Sequence, residues 1–372
     1  MKFCSKKIIR HSLFLSLLLL FSISVSAIQT IINKPDKVLE IIKNKKVYPN
    51  YSLVTAHRGY WNDVPEGSTG AFHKAIILGA DIVEVDVRLT SDNYLVAFHD
   101  PCLDRLTTAS GPINKHRWED IKDLRLKDLS GKLTNYKIQS LEEAVKHMRD
   151  SIVISLDVKV KGDDYKYVFA EAIKLFDNYK ILKRMNIKGT MDKDPLLDFL
   201  KENQCGEKKD PCSLDDFIYT PNIHNTPKLE EQFTDFLQLK DIYSIQLGYK
   251  RSSSPFLKEY NNSGSNYVQT ATAKGIWVGS YSFWPETDGV IFQDANTCEM
   301  STLKYNFING ITPKNVALPD SDMPGLGAFD KYFFDDGRGD WNWLIPYGTD
   351  YIITDRPALL MEYLKKIGKR QL

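Results

Sequence analysis

From Leu53 onward the chain alternates short β-branched runs with amphipathic stretches, the pattern of strand–helix units around a parallel sheet. The runs predict strands over Leu53–Ala56, Ile82–Val87, Tyr94–His99, Ile152–Asp157, Met185–Gly189, Phe217–Thr220, Ile242–Leu247, Ile276–Tyr281 and Tyr351–Thr354. Helical periodicity predicts helices over Thr69–Leu78, Ser140–Met148, Tyr165–Phe176 and Pro195–Glu202; Ser140, followed by Glu142 and Glu143, has the character of a helix start. No repeat of fixed period interrupts this order. About eight parallel strands between residues 51 and 367 fit an α/β fold of the (β/α)8 TIM-barrel type, enlarged by polar, turn-rich insertions at about 101–137 and 285–342. A doubly wound open sheet is the alternative, because local pattern does not encode strand order.

Residues 1–27 have a different pattern: basic residues, an apolar run from Leu13 to about Val25, and small residues at Ser26 and Ala27. This is the layout of a cleaved signal peptide, and the run is short for a bilayer span. It predicts export to a periplasm, a secretory lumen or the exterior, with no membrane span left after cleavage and a polar linker over 28–50. The 372 residues are 42% hydrophobic and 26% charged, an ordinary globular composition. Removing Lys2, Lys6, Lys7 and Arg10 turns the formal charge from +1 to −3, so no basic field favours a nucleic-acid partner. Nothing in the pattern signals an oligomeric state. Of the four remaining cysteines, Cys205 and Cys212 flank a turn-rich segment and are expected to pair; Cys102 and Cys298 could pair or stay free.

The chemistry concentrates in a few segments. On the strand around Ile82–Val87, Glu84 and Asp86 share one face while Val83, Val85 and Val87 share the other. Ionised groups inside a barrel need a partner, so this pair calls for a cation, and hard oxygen ligands favour Mg²⁺ or Ca²⁺. A salt bridge to Arg58 or Arg88 is the simpler explanation of the same pair. Asp157 and Lys159 repeat the alternation on a second strand, suited to completing a metal site and holding a phosphate oxygen. His57 and His99 each end a predicted strand, where a barrel carries its reactive groups, and could serve as general acid and base.

The segments Ala56-His-Arg-Gly59, Pro65-Glu66, Asp81 to Asp92, Phe98-His-Asp-Pro101, Leu103 to Thr108 and Ile353-Thr-Asp-Arg-Pro357 closely resemble the glycerophosphodiester phosphodiesterase family, with gaps from about Leu53 to Tyr363. The resemblance implies a TIM barrel with a small insertion after the second strand unit, beginning near Pro101. It implies metal-dependent hydrolysis of small glycerophosphodiesters, the deacylated forms of phospholipids, to sn-glycerol 3-phosphate and an alcohol. By motif, His57 and His99 are the acid/base pair, Arg58 and Lys159 hold the phosphate, and Glu84, Asp86 and Asp157 bind one divalent cation, with Glu66 a weaker additional ligand. Two departures stand out: Gly67 replaces the usual Asn after Pro-Glu, and Asp157 replaces the usual Glu before Lys159 by two positions. Of Trp277, Tyr281 and Trp284, any could line the substrate pocket. Two rival readings use the same residues: a phosphodiesterase acting on intact lipid, of the sphingomyelinase D or phosphatidylinositol phospholipase C kind, with Tyr332–Phe334 or Phe283–Trp284 as docking residues; and a non-catalytic binding module on the same barrel.

Overall fold

The computed structural model describes residues 34–128, 130–207, 209–249, 252–282, 291–293, 297–298, 300–302 and 341–371. The expected signal peptide, most of the expected insertion at 285–342, and Phe283, Trp284 and Tyr332–Phe334 lie outside the described residues. Eight parallel strands form the centre: β1 (Leu53–Ala56), β2 (Ile82–Leu89), β3 (Val153–Val158), β4 (Met185–Gly189), β5 (Ile218–Ile223), β6 (Ser244–Leu247), β7 (Trp277–Ser282) and β8 (Tyr351–Thr354). Each pairs with its sequence neighbours, and β1 pairs with both β8 and β2, so the sheet closes. Closure excludes the open doubly wound sheet and makes the fold a (β/α)8 barrel.

The ninth predicted strand is a correction. Within Tyr94–His99 only Leu95–Ala97 is extended, and it runs antiparallel to the end of β2 rather than joining the barrel wall. The chain turns back there because Ser91, Asp92 and Asn93 form a turn, with Asn93 at φ 60°. The following excursion has its own small core, including Phe98, Leu103, Ile113, Trp118 and Leu126, before the chain returns through Gln139–Ser140.

The segment expected to be a linker is also different. Residues 34–43 form helix α1, which buries Val38, Ile41 and Ile42 against Leu53, Ile82, Val153, Ile218, Trp277 and Tyr351. Each buried aliphatic side chain contributes roughly 1.5–3 kcal/mol, and the Trp277 indole donates to the Ile42 carbonyl at 2.9 Å. The periodicity of so short a helix is diluted by its lysines, which hides it in the sequence. The helices that follow the strands are α2 (Thr69–Leu78), α3 (Leu141–Met148), α4 (Asp163–Asn178), α5 (Lys193–Glu202), α6 (Leu229–Gln238), α7 (Tyr267–Lys274), α8 (Trp341–Leu344) and α9 (Pro357–Lys366). Ser140 caps α3 in a full capping box with Glu143, the arrangement its spacing suggested.

Inward positions change character along the barrel axis. At the amino ends of the strands they are the apolar set just named. Midway they are hydroxyls and amides: Asn186 donates to Ser155 and Tyr351, and Thr220 reaches both Asn186 and Ser244. At the carboxyl ends they are charged. Both pairs among the described cysteines are bonded: Cys205–Cys212, as expected, and Cys102–Cys298, which joins the excursion to the segment after β7.

Beneath β1, buried Asp81 accepts from the Tyr51 hydroxyl and the Val54 amide, each at 2.8 Å, and from both terminal nitrogens of Arg370. Burial raises the Asp81 pKa, but Arg370, together with Lys34 and the Val54 amide, more than offsets this and holds it below the usual carboxylate value. A lowered native pKa adds stability that is present above the unfolded value of about 3.9 and lost as pH falls through the native one. Replacing Arg370 by Met is therefore expected to lower the unfolding free energy in urea by about 3–5 kcal/mol at neutral pH. The gap from wild type should shrink as the pH falls toward about 3, because Asp81 without Arg370 takes up its proton at a higher pH than in the wild type; a gap that stays constant down to pH 3 would refute this account.

Candidate active site

The site is built by strand register. Asp86 on β2 lies beside Asp157 on β3, and Glu84 beside Ser155. One step beyond the Leu156–Ile187 pair, Asp157 meets Lys188 of β4. Side chains alternate along each strand, so Glu84, Asp86, Asp157 and Lys188 all enter the barrel while Val83, Val85 and Val87 pack outward against helices. Carboxylate oxygens of Glu84, Asp86 and Asp157 lie within 4.8 Å of one another.

Cations surround these acids. The Lys188 ammonium lies 2.9 Å from both Glu84 and Asp157. Lys159 lies 3.0 Å from Asp86 and 2.9 Å from Asp157. Arg58 Nε is 3.2 Å from Asp86, and the Arg58 amide donates to Glu84 at 3.1 Å. That amide is aimed inward because Arg58 and Gly59 have φ of 57° and 86°. A β-carbon at Gly59 would fall 2.6 Å from the Ala71 backbone, so the sharp turn after β1 requires glycine there. Burial opposes ionisation of Asp86 and Asp157, but Lys159 for the first, and Lys188 with Lys159 for the second, hold both carboxyls below their ordinary range. Lys188 is pushed upward despite its burial, by Asp157 and Glu84.

The simple salt-bridge explanation of the acid pair is thus half realised: Arg58 does meet Asp86. Arg88 instead donates to the His99 and Lys159 carbonyls. The acids nevertheless fit a hard divalent ion. Asp86 Oδ1 is buried without a hydrogen bond, although Lys159 lies close to it, and the donor set is all oxygen.

Both histidines are oriented through Nδ1. His57 meets Asp355 at 2.6 Å, and Asp355 also accepts from the Tyr281 hydroxyl at 2.9 Å. The opposite ring nitrogen of His57 is 3.9 Å from Glu84. His99 meets Asp100 at 2.7 Å. Burial, then Arg58, lowers the His99 pKa from its ordinary value. Arg105 fastens this half of the site, with two contacts to Asp100 and two to Glu66. Glu66, expected as a weaker metal ligand, groups with His99 and Asp100 rather than with Glu84, Asp86 and Asp157; Arg105 and Arg58 together hold it well ionised against its burial. Gly67, where an Asn is usual, sits at φ 65°, a conformation both residues tolerate, and donates to the Arg58 carbonyl.

Sequence reasoning did not single out Lys188, Arg105 or Asp355. The alternation in Met185-Asn-Ile-Lys-Gly189 could have found Lys188, since it puts Asn186 and Lys188 on one face. Arg105 and Asp355 sat inside quoted motifs without an assigned role. Of the three aromatics, Trp277 is core at the opposite end and Tyr281 enters the site against His57, ring centres 4.8 Å apart. A cavity with room for about one water lies against Arg58, Glu66, Asp86 and His99. A larger one, about 280 Å³, lies at the far end near Lys45 and Asp350, away from these groups.

Fold and site define a (β/α)8 barrel with a charged, histidine-bearing site at the carboxyl ends of its strands. Residues 57–199 match the glycerophosphoryl diester phosphodiesterase family. It is 34% identical over 138 residues to the glycerophosphodiester phosphodiesterase of Caldanaerobacter subterraneus, covering 37% of this chain and 57% of that protein. It is 33% identical over 131 residues to mouse glycerophosphodiester phosphodiesterase 1, covering 33% and 40%. The chain thus spans about half the length of the curated relatives it matches. Across the whole barrel it is similar in fold to a glycerophosphoryl diester phosphodiesterase from Parabacteroides distasonis, with a TM-score of 0.57, 18% identity, and 90% and 92% of the two chains covered. A phosphodiesterase from Oleispira antarctica, solved with the product sn-glycerol-3-phosphate, gives 0.52 at 15% identity, covering 86% and 98%.

Because a carboxylate oxygen of Asp355 faces His57 Nδ1 and one of Asp100 faces His99 Nδ1, each histidine should carry its proton on Nδ1 and leave Nε2 free to accept. NMR of ¹⁵N-histidine-labelled protein is expected to show this tautomer at both positions. Asp355→Ala should abolish the preference at His57 and leave it at His99; an unchanged His57 signal would remove Asp355 from this role.

Proposed function

We propose that this chain hydrolyses glycerophosphodiesters to sn-glycerol 3-phosphate and an alcohol. The observation that carries the reading is the pair of carboxylate-oriented histidines beside the Glu84, Asp86 and Asp157 cluster, in a barrel whose sequence relatives bear that activity in their names. Arg58 and Lys159 lie at the cluster's edge and suit the non-bridging oxygens of a phosphodiester. Glu84, Asp86 and Asp157 would hold one divalent cation, Mg²⁺ or Ca²⁺, which when bound offsets negative charge on the phosphoryl oxygens.

The reaction forms a P–O bond to the nucleophile and breaks the P–O bond to the leaving alcohol. The nucleophile is water, or a glycerol hydroxyl that first closes a cyclic phosphate which water then opens. One histidine takes the nucleophile's proton through its free Nε2, while the other enters the step as imidazolium and gives its Nε2 proton to the departing alkoxide; the roles exchange between steps. Arg58 and Lys159 orient the phosphate and disfavour its movement as charge shifts. Residues 1–27, read as a signal peptide, would put this enzyme in an exported compartment.

A coupled glycerol 3-phosphate release assay across glycerophosphodiesters tests the reading. Chelator is expected to abolish release, and His57→Ala to reduce it by about 10²- to 10⁴-fold. Release from intact sphingomyelin or phosphatidylinositol vesicles, with none from the small diesters, would favour the lipid-acting alternative. Robust turnover by His57→Ala would remove that residue from the mechanism.

A further inference from the structure

The buried Lys188 ammonium bridges two of the three acids read above as cation ligands, at 2.9 Å from each. Lys159 and Arg58 cover the third, Asp86. Three carboxylates are therefore balanced by three cationic side chains before any ion is considered. An ion bound by Glu84 and Asp157 must share their oxygens with an ammonium or displace it, and close like charges in a buried site repel strongly. The lysine has little freedom to leave: its side chain enters from a barrel strand, and its own carbonyl accepts from the buried Tyr165 hydroxyl at 3.0 Å. Asp157 is the most open of the three acids, with its side chain about 25% exposed, so it is the oxygen most readily surrendered to an incoming ion.

We propose that Lys188 is a built-in competitor for the divalent-ion site, lowering the affinity of Glu84, Asp86 and Asp157 for Mg²⁺ or Ca²⁺. The inference rests on the assignment of those acids as ion ligands, but not on the substrate. A purely structural salt bridge makes a different demand: losing it would weaken the fold and leave ion affinity unchanged or reduced.

Isothermal titration of Mg²⁺ and Ca²⁺ into wild-type, Lys188→Met and Lys188→Arg protein distinguishes the two. Lys188→Met is expected to bind at least about tenfold more tightly than wild type, because a neighbouring positive charge is gone; Lys188→Arg should stay near wild type. Should Lys188→Met fold poorly, Lys188→Gln provides a second reading by thermal denaturation. Its melting temperature should fall below wild type without ion and rise with ion by more than the wild-type gain. Equal or weaker affinity in both neutral variants would overturn the proposal, as would no binding of either ion to any of the proteins. Tighter binding by Lys188→Met, with no glycerol 3-phosphate released by wild type, would uphold the proposal while overturning the functional reading.

Discussion

Three carboxylates placed inside a closed barrel cannot stay ionised without cations at hand, and this constraint organises the molecule around them. Glu84 and Asp86 are nearly inaccessible on β2, and Asp157 stands beside Asp86 on β3. The compensating charges come from three other places: the turn after β1, the end of β3 and the inner face of β4. Each reaches its acid only because parallel register and barrel closure bring those strand ends together. A second set obeys the same rule just outside the first. Glu66 and Asp100 are held by Arg105, and Asp355 by His57 and Tyr281. A buried acid is costly alone and well placed when paired, so the site is held by its own charge balance.

The barrel interior explains why this balance is confined to one end. Apolar side chains and α1 fill the amino-terminal end, and hydroxyls with Asn186 bridge the middle. That middle layer matters because it steps from a dry core to a charged mouth without leaving most of its polar atoms unpaired. Asn186 shows how: it spans three strands, donating to Ser155 and Tyr351 and accepting from Thr220. Substituting an apolar residue there would put dry packing directly beneath Lys188 and its acids.

What was legible in the sequence followed from local periodicity. Alternation on β2 exposed Glu84 and Asp86 as an acid pair, and the spacing of Ser140 and Glu143 marked the start of α3. What was not legible depended on partners far away in the chain. Lys188 acts on Glu84 from 104 residues away, and Asp355 on His57 from 298. A lone lysine on a five-residue strand reads as an ordinary strand end until the neighbouring strand is known. The segment around His99 misled for a related reason: its alternation is that of a genuine strand, but period two does not distinguish a parallel barrel stave from an antiparallel excursion.

That distinction separates the two histidines. His57 follows β1, is anchored by Asp355 just after β8, and inherits the rigidity of the strand pair that closes the barrel. His99 stands on the excursion, outside the wall, and its geometry has to be secured by other means. Asp100 is its immediate neighbour in the chain, Arg105 ties Asp100 to Glu66, and Glu66 is tied in turn to Arg58 beside His57. Arg88, rooted in β2, holds the His99 carbonyl at 2.7 Å. The excursion is thus fastened to the barrel by charge-assisted hydrogen bonds at the one place where its position matters, while Phe98, the neighbour of His99, belongs to its own apolar core. Such an arrangement lets the length and composition of the excursion vary without moving His99, provided that the Arg105 and Arg88 contacts persist.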